Sequence, residues 1–165
     1  MGTPQGNQSV IQCPENWNCG GSMGLNAVVY RNLANLPDSM RERVRFADPN
    51  MGELEFLPTE TSDSSSRAAL IAGSARLGNI AMIAWLREEI ASRCAACPLL
   101  MKLVLYSGTH CGDSVAVHYL ASLEHEVNAI SSAAGSPPDE LTTFLETMRS
   151  LIERAKQENN PIVFV

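Results

Sequence analysis

Residues 107–127 read SGTHCGDSVAVHYLASLEHEV, and two of them have types and spacing suited to acyl chemistry: Cys111 and, two positions on, Asp113. The thiolate is the reactive form of cysteine, and an unperturbed thiol is only a few per cent ionised near neutral pH. Ser-Gly-Thr before the cysteine is turn-like and a helical pattern follows Gly112, so Thr109 is expected to cap a helix whose first turn holds Cys111. The open amides of that turn, at the positive end of the macrodipole, would favour thiolate. Asp113 works against this, because a carboxylate near sulfur disfavours a second negative charge. It suits a second step instead: the cysteine takes an acyl group as a thioester, and the aspartate positions or deprotonates the amine that receives it. The plainer assignment is a buried cysteine followed by an ordinary first-turn acid. His110 reads as a solvent-facing residue at the helix start rather than a base.

The other cysteines are Cys13, Cys19, Cys94 and Cys97, which with Cys111 make an odd number at low density. That argues against a disulfide scaffold, so reduced thiols are expected. Cys94 and Cys97 form CAAC, but a redox pair calls for a strand before the motif. A zinc site would join it to Cys13 and Cys19, a pair of different spacing about 75 residues away. Small buried hydrophobes are the simpler assignment, and no metal or cofactor is expected. Cys19 in NCGGSMGLNAVVY opens a lesser alternative, a papain-like protease or deamidase with a later histidine as base. His118 and His125 lie on an expected helix, whereas that class draws its base from a strand. The Tyr30-Arg31 and Glu124–Glu126 features of an ADP-ribosyltransferase are wrongly spaced about Ser107–Thr109.

The elements that must position these residues read as helices. Residues 1–22 form a polar, Gly-rich lead with neither the basic nor the apolar part of a Sec signal, compatible with a secretion signal of another kind. From there to residue 165 a single domain is expected. Leu25, Val28, Val29 and Leu33 fall at helical spacing, a second helix restarts after Pro37 with Asp38 or Ser39 as cap, and a short one is centred on Leu54. The next element starts near Ser64 or Ser65 and runs as helix past Trp85, with Gly73 and Gly78 as points where it can break. The apolar run after Pro98 tilts to buried helix. Ala116, Leu120, Leu123, Val127 and Ile130 form a helical stripe, as do Leu141, Phe144, Leu145, Met148, Leu151, Ile152 and Ala155. The tail IVFV is apolar, as if tucked against a core. The expected fold is an all-α bundle of roughly five or six helices. Twelve basic against eighteen acidic residues, without a basic cluster, point away from nucleic acid and anionic membrane as partners.

CGDSVAVHYLASL resembles the C-x-D-R-V segment of the novel bacterial E3 ubiquitin ligases, the IpaH/SspH type among type III secreted effectors. Upstream, IAWLREEIASRCAACPLLMKLVLYSGTHCGD is similar to the family segment in which A-W-L on one helix precedes the cysteine by about two dozen residues. LNAVVYRNL and ELEFLPTETSD follow the order of its opening helices and F-x-x-F-L segment. The resemblance implies an all-α catalytic domain over 23–165, with Cys111 accepting ubiquitin from a host E2 as a thioester and Asp113 as the motif acid. It implies transfer to a lysine of a host protein, secretion from a bacterium and action in the host cytoplasm. Ser114 stands where the family has Arg, and 54 residues follow Cys111 where the family has well over a hundred. A fragment, a minimal ligase or a non-enzymatic helical interaction module derived from that domain all fit this pattern.

Overall fold

The computed structural model describes residues 24–58, 64–94, 96–106, 112–133 and 135–165. Strands β1 (Gly24–Tyr30), β4 (Ile71–Asn79), β5 (Ser114–Val115) and β6 (Ile162–Phe164) make an antiparallel sheet in the order β4-β1-β6-β5. Strands β2 (Val44–Asp48) and β3 (Glu53–Phe56) form a separate hairpin. The helices are α1 (Asp38–Arg41), α2 (Ser64–Ala68), α3 (Ile80–Arg93), α4 (Leu120–Ser131) and α5 (Asp139–Glu158), with a π-helical turn at Leu100–Val104. The fold is therefore mixed α/β, which overturns the all-α bundle expected for residues 23–165.

The correction has local causes. Leu25, Val28 and Val29 have helical spacing, yet Leu25, Ala27 and Val29 also alternate, and these three enter the main core. Seven residues cannot separate the two periods, and the β-branched and aromatic run Val28-Val29-Tyr30 suits a pleated surface. Partners decide the matter: β1 pairs with β4 along its length and with β6 at Ala27 and Val28. The helix expected around Leu54 is strand β3, with Leu54 opposite Phe46. The helix expected across Gly78 is strand β4 followed by α3. Asn79 caps α3 by accepting from the Met82 amide at 2.8 Å. A Cβ on Gly78 would lie 2.8 Å from Met82 Cγ, so this strand-to-helix corner requires glycine.

Other expectations hold. An element begins at Ser64, the run after Pro98 is helical, and Leu120, Leu123, Val127 and Ile130 of the first stripe are buried on α4, whereas Ala116 precedes a 3-10 turn outside it. All seven residues of the second stripe are buried on α5, which ends where Asn159 turns left-handed at φ 50°. The apolar tail becomes β6, inserted between β1 and β5 with Ile162 and Phe164 fully buried. The main core lies where α3, α4, α5 and the π-helical turn cover the Leu25–Ala27–Val29 face of the sheet. Leu36, Val44, Leu54 and Leu70 form a smaller cluster around the hairpin.

Candidate functional site

Cys111, Thr109 and His110 lie outside the described residues, as do Cys13 and Cys19. What precedes and follows Cys111 is defined. Gly112 has φ +83°, a left-handed turn, and its amide donates to the Phe164 carbonyl at 3.1 Å. The Phe164 amide donates back to the Asp113 carbonyl at 2.9 Å, and Ser114 already belongs to β5. Helix α4 does not begin until Leu120, so residues 112–119 do not form the helical first turn expected to favour a thiolate. The exposed carboxylate of Asp113 accepts a hydrogen bond from the Tyr106 hydroxyl. Mainly through the bond, and then through desolvation and the aspartate charge, the Tyr106 phenol is pushed up to about 12. His118 lies on a 3-10 turn against the Tyr119 ring, and His125 is exposed on α4.

Cys94 and Cys97 are disulfide-bonded to each other, which corrects the expectation of reduced thiols and removes the pair as zinc ligands. Just beyond them, the Leu99 and Leu100 amides donate to the two carboxylate oxygens of Glu126 at 3.0 and 2.8 Å. Glu126 thereby caps the helical segment that follows the disulfide. A second buried carboxylate, Glu158, accepts from the Asn32 amide and from Asn35 Nδ2, each at 2.8 Å. Glu158 carries no sequence signal, and Glu126 enters the sequence reading only within the Glu124–Glu126 feature, not as a cap. For Glu126 a signal existed: it sits three positions after Leu123 on an otherwise apolar stripe.

One combination on the described surface is suited to a peptide ligand. A groove of about 440 Å3 opens where the end of β4 meets the start of α5, with Arg76, Met82, Asp139, Glu140, Thr143 and Phe144 among its lining residues. Asp139 and Glu140 are exposed and make no ion pair among the described residues. Beside the groove runs β4, whose other neighbour is β1 and whose outer edge has no strand next to it among the described residues. Ser74 and Arg76 are exposed along it, and Ile80, just past its end, is 60% exposed. No helix among the described residues is long and apolar enough to cross a membrane. No family model, curated protein or solved structure matches the chain.

Proposed function

We propose that this chain is a protein-binding module that takes an extended, basic segment of another protein along the outer edge of β4. The observation that carries the reading is the strand: nine residues long, with no strand on its outer side among the described residues. An edge strand presents a row of backbone donors and acceptors that an added strand can satisfy, while pockets for alternate side chains select the partner. The groove at the end of β4, where Asp139 and Glu140 outnumber Arg76, suits Lys or Arg, with Met82 and Phe144 against the stem and the two carboxylates near the charge. A formal charge of −6 favours encounter with a basic partner in the same sense.

Selection of random peptides against the whole chain tests this. Enriched sequences should carry Lys or Arg, protect β4 amides from hydrogen exchange, and bind about tenfold more weakly to Ser74→Lys and to Asp139→Lys. Peptides without basic enrichment, or with equal affinity for both variants, would refute it.

A second reading keeps Cys111 as an acyl-accepting nucleophile, in the ubiquitin-ligase sense of the resemblance. Its all-α support and its helix-start activation are gone. The observation in its favour is the Tyr106–Asp113 bond, which holds the aspartate in place two residues from the cysteine. One carboxylate oxygen accepts that bond, so a base role for Asp113 falls to the other. Charged E2 incubated with wild type and Cys111→Ala decides this: a reducible ubiquitin adduct confined to wild type supports it, and none, or equal adducts, ends it.

A further inference from the structure

The cysteine pair at the end of α3 has no part in the β4 reading. Cys94 terminates the helix, its amide donating to the Ile90 carbonyl at 2.9 Å, and is half-buried, whereas Cys97 is 3% exposed and belongs to the core. In such a pair the reachable sulfur is attacked and the buried one departs. Two features oppose the thiolates that opening would generate. Cys94 sits at the negative end of α3, the reverse of the helix N-termini that lower thiol pKa. The amides after Cys97 that could stabilise a thiolate already donate to Glu126, which is itself only 7% exposed. Next to the pair is a depression of about 620 Å3, lined by Ala96, Pro98, Ala121, Ser122, His125 and Glu126. It has room for a small dithiol or a cysteine-bearing loop.

We propose that Cys94–Cys97 is a slow thiol–disulfide exchange site, opened by an external dithiol at Cys94 and kept shut by Glu126. A thiolate of the dithiol bonds to Cys94 Sγ as the intramolecular S–S bond breaks. The electron pair leaves on Cys97 Sγ, which takes a proton from solvent. The second thiolate of the dithiol then attacks the mixed disulfide, releasing Cys94 as a thiolate that is protonated in turn. The protein gains two electrons and two protons, and the dithiol becomes a disulfide. Opening frees the end of α3 from the helical segment that leads to Tyr106.

The test uses the whole chain, glutathione and dithiothreitol, with alkylation and peptide mapping by mass spectrometry. Glutathione should form its mixed disulfide on Cys94 in about tenfold or greater preference to Cys97. With dithiothreitol, Glu126→Gln should open about threefold faster or more, because the uncharged amide can accept from only one of the Leu99 and Leu100 amides and leaves the other to the departing sulfur. The wild-type mapping stands even where that variant folds poorly. Adducts on Cys97, adducts split evenly, or equal opening rates for a folded Glu126→Gln would overturn the proposal.

Discussion

Helix α5 carries carboxylates at both ends, and they differ in kind. Asp139 and Glu140 lie in its first turn, where the macrodipole favours negative charge, yet they are exposed and make no ion pair among the described residues. Glu158 lies in its last turn, where the dipole opposes negative charge, yet it is 6% exposed. Hydrogen bonds reconcile Glu158 with its place. It accepts from Asn32 and Asn35, and Asn32 Nδ2 returns a bond to its backbone carbonyl at 2.9 Å. It thereby ties the end of α5 to the chain leaving β1. A carboxylate held by backbone and amide donors on one oxygen, with Arg31 3.9 Å from the other, is part of the architecture, and a solvated one remains available to a partner.

The comparison can be broken at several points. Glu158→Ala should cost the most, about 3 kcal/mol in urea denaturation, because it strands two donors at a buried site. A loss as small as that of an exposed acid would show that Glu158 is not the staple. Glu126→Ala should follow at about 2 kcal/mol, since it uncaps the Leu99 and Leu100 amides.

Asp113 is the intermediate case, exposed yet engaged. In alkaline titration by ultraviolet absorbance, Asp113→Asn should return one tyrosine from about 12 toward the ordinary value near 10. The folded value is raised, so whatever the bond adds to stability is complete below the unfolded pKa and is lost as pH rises through about 12. Three tyrosines titrating alike in wild type would contradict the bond. The smallest effect belongs to Asp139→Asn with Glu140→Gln, which should change stability by only about 0.5 kcal/mol. A loss comparable to that of Glu158→Ala would erase the distinction between the two ends of the helix.

How much was legible varied along the chain for physical reasons. Leu141 to Ala155 repeat over several turns, long enough for the helical period to exclude any other, and the proline before and Asn159 after mark the ends. Leu25 to Val29 span too few residues for that. For the same reason, the break foreseen at Gly78 did not reveal that strand precedes it and helix follows. At the candidate site the residue types around Cys111 suggested acyl chemistry. The helix start expected there does not form, because the stripe read from Ala116 is α-helical only from Leu120, and Ser114–Val115 and Val117–Tyr119 form β5 and a 3-10 turn. The groove and the open edge could not be read at all, since Met82 belongs to α3 and Asp139 and Phe144 to α5, which are far apart in the chain.

By itself the sequence determined α4, α5 and the helical character of the run after Pro98, because a helix is set by neighbours three and four residues apart. Only the tertiary structure decided that β1, β4 and β6 are strands. Val28 pairs with Val163, and Asn32 binds a carboxylate 126 positions away. A strand's identity rests on hydrogen bonds to distant chain, and no local period records which segment will supply them.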